Sequence, residues 1–138
     1  MLFRKNKPNE IYLNREIYEK DNKYTVKYNK EKIVYDSKKE AIDAIEAEVY
    51  LELKSKIDEI CNRYSTTFFA PERGYEHNLE LILDKHSFYI KDHCENLFYG
   101  SENMADMLRE IQKVIHSTIG YDYRLELHPR DTVEIIHK

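Results

Sequence analysis

Tyr24, Val26 and Tyr28 alternate with Thr25 and Lys27, the period-two spacing of a half-buried strand. The polar stretch 29–32 turns the chain, and Ile33, Val34 and Tyr35 supply a short partner strand, so a hairpin is predicted. Ser37 followed three residues later by Glu40 forms a capping box, in which hydroxyl and carboxylate satisfy two backbone N–H groups that a helix start leaves orphaned. A helix therefore begins there. Ile42, Ile45, Val49, Leu53, Ile57, Ile60 and Tyr64 recur at three-to-four spacing and give it one apolar side, with Cys61 beside the stripe and nothing to break it before Ser65. Ahead of the hairpin, Ile11, Tyr12, Leu13, Ile17 and Tyr18 form one apolar stretch, taken as a first strand.

The same order returns 64 residues later. At that offset six positions are identical: Lys27 with Lys91, Glu31 with Glu95, Tyr35 with Tyr99, Ser37 with Ser101, Ala41 with Ala105, and Glu46 with Glu110. Leu79, Leu81 and Leu83 precede the second hairpin, whose strands are expected at Phe88 to Ile90 and Leu97 to Tyr99. A helix of about 17 residues follows Ser101, carried by Met104, Met107, Leu108, Ile111 and Ile115 and ended by Gly120. Tyr123, Leu125 and Leu127, a turn at 128–131, and Val133, Ile135 and Ile136 predict a final hairpin. The expected fold is α+β: two tandem, duplicated βββα units packed together through their helices, with an extra C-terminal β-hairpin extending the second sheet. The first unit is placed at 8–64, the connection, with Pro71 and Gly74, at 65–78, and the second unit with its hairpin at 79–138. Each half alone would bury only a marginal core, so a single compact domain is expected.

Composition narrows the functional classes. The chain has 138 residues, 41% apolar and 35% charged, which suits a globular protein with a charged surface. There is no apolar run of about 18 residues and no apolar segment behind the charged N-terminus, so no membrane span and no secretory signal are expected, and the cytoplasm is the expected compartment. Three glycines leave no glycine-rich phosphate loop. Cys61 and Cys94 lack the spacing of a metal finger or redox pair. His77, His86, His93 and Cys94 remain the group among which an unrecognised catalytic or metal site would lie, but paired ligand spacing is missing. No nucleophile–base motif is present either. No enzyme activity, cofactor or metal is therefore expected. Lysine outnumbers arginine 15 to 7, and with abundant Asn, Ile and Tyr this fits a low-GC bacterium or its phage.

The net charge of −4 is divided unevenly, residues 1–40 carrying 11 basic and 7 acidic side chains. Arg15, Lys20, Lys23, Lys27, Lys30 and Lys32, with interleaved tyrosines, form a candidate nucleic-acid face. In element order, though in no motif, residues 10–64 resemble the arm-binding domain at the front of tyrosine recombinases and the sheet-reading DNA-binding domain of plant transcription factors. That resemblance implies an exposed sheet face entering the major groove. On the long helix Asp43, Glu46, Glu48, Glu52, Asp58 and Glu59 outnumber Lys54 and Lys56 and form a candidate protein-binding face for a basic partner. Twelve tyrosines offer contact area at low entropic cost. The expected function is thus non-enzymatic binding of a macromolecule, first a host or phage protein such as a defence enzyme that a phage or mobile-element accessory protein inhibits, and alternatively a nucleic acid. An enzyme of unrecognised type is the third class.

Overall fold

A computed structural model describes residues 7–68, 79–92, 103–128 and 132–138. The chain is α+β, with two antiparallel four-stranded sheets and two helices among the described residues. By compactness it divides into Met1–Val49 and Tyr50–Lys138, a boundary that falls inside the long helix. No helix among the described residues is long and apolar enough to cross a membrane.

In the first unit β1 (Glu10–Tyr12), β2 (Arg15–Lys20), β3 (Lys23–Tyr28) and β4 (Glu31–Tyr35) pair in sequence order. Each connection is two residues long, as shown by the closing pairs Tyr12↔Arg15, Lys20↔Lys23 and Tyr28↔Glu31. Two-residue hairpins need left-handed backbone to match strand twist, and Leu13, Asn14, Asp21, Asn22 and Asn29 all take positive φ. The stretch expected as one first strand is therefore two, folded back at Leu13-Asn14. Leu13 at φ 49° is a bulky residue in a costly conformation, yet it is buried, and its apolar contacts offset the strain.

Helix α1 (Lys38–Phe68) begins where the capping pair predicts: the Glu40 N–H donates to Ser37 Oγ at 3.1 Å, and the Ala41 N–H donates to the Ser37 carbonyl. Its Ala41, Ile45 and Val49 are buried in the first unit with Leu13, Ile17 and Val26. Burying each of the larger of these side chains contributes about 1.5–3 kcal/mol.

The second unit holds β5 (Leu79–Asp84), β6 (Ser87–Asp92), α2 (Asn103–Ile119), β7 (Tyr123–His128) and β8 (Thr132–His137). Lys85 and His86, both at positive φ, make the β5–β6 turn. Gly120 at φ 99° ends α2, its N–H donating to the His116 carbonyl, as the sequence predicts. The sheet order is β5-β6-β8-β7, so the C-terminal hairpin does extend this sheet. Here the structure departs from the duplicated pattern. Phe88 to Lys91 pair with β8 on the side opposite β5, the place expected for 97–99, which lie outside the described residues. The first unit also has four strands before its helix rather than three. Leu53, Ile57 and Ile60 of α1, Met107, Ile111 and Ile115 of α2, and the inner positions of the sheet form the second core.

A helix side chain hydrogen-bonds to the backbone of each edge strand of the second sheet. Gln112 on α2 accepts from the Leu125 N–H at 3.1 Å and donates to the Tyr123 carbonyl at 3.3 Å, standing in for a neighbouring strand along β7. Tyr50 on α1 donates its hydroxyl proton to the Leu81 carbonyl of β5 at 3.2 Å.

Candidate functional site

The pairing registers of the first sheet sort its side chains by face. Arg15, Ile17, Val26 and Tyr28 turn toward the helix, and Glu16, Tyr18, Lys20, Lys23, Thr25, Lys27, Lys32 and Val34 occupy the open side. Lys27 stands between Glu16 and Lys32 in one cross-strand row, Thr25 between Tyr18 and Val34 in the next, and Lys20 faces Lys23 in a third. Like charges directly opposite one another repel. The Lys27 ammonium lies 5.1 Å from the centre of the Tyr18 ring, and the Tyr18 hydroxyl donates to Glu16 Oε2 at 2.9 Å. That bond, with a smaller effect of burial, raises the Tyr18 pKa above its ordinary value, so the phenol stays protonated. Lys7, Lys20, Lys27 and Lys32, interleaved with the carboxylates of Glu16 and Glu19, line a shallow concavity of about 1030 Å³ on this face.

Of the six basic candidates, Lys20, Lys27 and Lys32 are brought together here. Lys23 is on the same side, hydrogen-bonded to Asp36, whose carboxyl is held below its ordinary pKa by that bond and by the Lys23 charge. Lys30 is exposed in the β3–β4 turn. Arg15 is the exception. It is 1% exposed, donates to the Leu13 carbonyl at 2.8 Å, lies 3.4 Å from Glu48 Oε1, and stacks its guanidinium 3.7 Å from the centre of the Tyr28 ring. It shares strand parity with Ile17, so it belongs to the interior and not to an exposed nucleic-acid face.

The acidic candidates do not form one open surface. Glu46 is 5% exposed and accepts the Tyr12 hydroxyl at 2.5 Å, so it too belongs to the interior and not to the outer side of the helix. Asp43 pairs with Lys39, Glu52 with Lys56, Asp58 with Lys54, and Glu48 with Arg15. Lys54 has its pKa raised by the Asp58 hydrogen bond and charge. Glu59 is exposed.

Sequence reasoning missed one group. Glu126, His128 and Glu134 bring three possible ligand atoms within 4.8 Å of one another on β7 and β8. Its trace in the sequence is Glu126 and His128 two apart on a strand whose hairpin partner returns Glu134, but the register that brings them together is set by pairing alone. Of the residues singled out earlier for such a site, His86 is exposed in the β5–β6 turn, while His77, His93 and Cys94 lie outside the described residues. No protein-family model, curated protein or solved structure matches this chain.

Proposed function

We propose that the chain is a non-enzymatic binding protein of the cytoplasm that holds nucleic acid against the open face of its first sheet. The observation that carries this reading is the convergence of Lys20, Lys27 and Lys32 on one concave sheet face, with Lys27 directly opposite Lys32. A phosphate placed between two such ammonium groups replaces repulsion with two attractions. Strands can enter the major groove, and Tyr18 and Thr25 supply hydroxyls between the lysines. With Arg15 in the interior the face has no guanidinium among its described residues, so its contacts are of the phosphate-positioning kind and sequence preference is weak.

The test is binding to mixed-sequence duplex DNA across a salt series. The wild-type chain is retained at low salt, and its affinity falls steeply as salt rises. Lys27→Ala and Lys32→Ala each weaken binding and lower the salt slope by about one. No retention at low salt overturns the proposal.

A second reading, an accessory protein of phage or mobile-element type that modulates a host protein, is favoured by the edge strand β4. There Ile33 is 47% and Val34 60% exposed, on a strand that is exposed along most of its length. Under that reading Val34→Lys abolishes capture of a purified partner, while Lys27→Ala leaves it intact. The finer fold proposal, that both units descend from one copied βββα piece, is supported by the six identities at the 64-residue offset.

A further inference from the structure

We propose that Glu126, His128 and Glu134 form a binding site for a divalent first-row transition metal, with zinc as the representative ion. The three side chains leave the sheet on the face opposite buried Val133 and Ile135. Glu126 and Glu134 are directly opposed across the β7–β8 pair, and His128 follows Glu126 by two positions on the same face. The His128 Nε2 atom is 3.0 Å from Glu134 Oε1 and 4.0 Å from Glu126 Oε2. Metal–ligand bonds near 2.1 Å in a tetrahedron set donor atoms about 3.4 Å apart, and the two observed separations bracket that figure. All three ligand atoms lie within 4.8 Å of one another, so rotamer adjustments on the order of 1 Å bring the set to coordination geometry.

Donor chemistry decides which ion is favoured. An imidazole nitrogen joined to two carboxylates is a mixed nitrogen–oxygen set, and the nitrogen favours zinc and its neighbours over magnesium or calcium, which prefer oxygen alone. Two glutamates facing each other across a ladder repel, and a dication between them removes that repulsion. Backbone pairing on two adjacent strands holds all three residues, so little ordering is required on binding. The side chains are 43%, 38% and 23% exposed for Glu126, His128 and Glu134, which leaves the ion reachable from solvent and its remaining positions open to water or an exogenous ligand.

The experiment is calorimetric titration of zinc chloride into the metal-free full chain near neutral pH, with magnesium chloride as the comparison. One ion per chain is expected, with magnesium binding at least tenfold weaker. His128→Gln and Glu134→Gln are each expected to weaken zinc binding at least tenfold and to remove the rise in Tm that zinc gives the wild-type chain. Glu126→Gln, at the most exposed of the three positions, checks the site where a change at Glu134 disturbs the sheet. Zinc binding that survives His128→Gln and Glu126→Gln, magnesium binding as tight as zinc, or no saturable zinc binding would each overturn the proposal.

Discussion

Arg15 and Lys27 sit on neighbouring strands, carry the same charge, and have different work because one points inward and the other outward. The buried guanidinium stacks its plane on Tyr28 while donating to the Leu13 carbonyl, a combination that a lysine's compact ammonium does not reproduce. Arg15→Lys is therefore expected to destabilise the chain by about 1–3 kcal/mol in thermal or denaturant unfolding, while leaving the salt slope of DNA binding unchanged. Asp36 gives a second readout. Its carboxyl is depressed first by the hydrogen bond from Lys23 and then by that ammonium's charge. A lowered folded-state pKa means that the pair's contribution is present above the ordinary carboxylate range and is lost as pH falls through the lowered value. Nuclear magnetic resonance titration is expected to find Asp36 below its ordinary 3.8, and Lys23→Ala is expected to return it there. Saturation with DNA moves it the same way, because phosphate competes for the same ammonium.

The hairpins rest on turns without glycine. Lys85 at φ 48° and His86 at φ 68° hold side chains where Asn-Gly sits without strain. Replacing the pair with Asn-Gly is expected to raise stability by about 1 kcal/mol, read as an increase of a few degrees in Tm. The same chemistry explains what the sequence leaves hidden. Leu13-Asn14, Asp21-Asn22 and Lys85-His86 lack the glycine that marks a tight turn, so the stretch from Ile11 to Tyr18 reads as continuous. Helix ends are clearer, because Ser37 with Glu40 and Gly120 each meet a specific backbone need. The α1 stripe reads as a single face. Yet strict four-residue spacing from Ala41 to Ile57 spirals about 40° per step, and its residues serve the first unit before Tyr50 and the second after it.

Across the molecule, a net charge of −4 coexists with a lysine-rich sheet face, so attraction to a polyanion is local and salt-sensitive rather than a property of the whole surface. Lys20, Lys27 and Lys32 were legible because their parity is opposite to that of Ile17 and Val26, and the same alternation puts Arg15 indoors. The Glu126, His128 and Glu134 group was not legible, since polar residues at alternate positions are what any half-exposed strand shows. Order within the second sheet was equally hidden: β8 pairs with β6 across the 39 residues from 93 to 131, a partnership that no local pattern encodes.

That order has a consequence during synthesis. The first sheet, whose strands neighbour one another in the order they are made, zips up one hairpin at a time as the nascent chain leaves the ribosome. The second does not, because the strand that belongs between β6 and β7 is translated after both, leaving the flank of β6 bare while α2 and β7 emerge. A ribosome stalled just past Tyr123 would thus display a finished first sheet while the second is half-built, with an open template for stray strands.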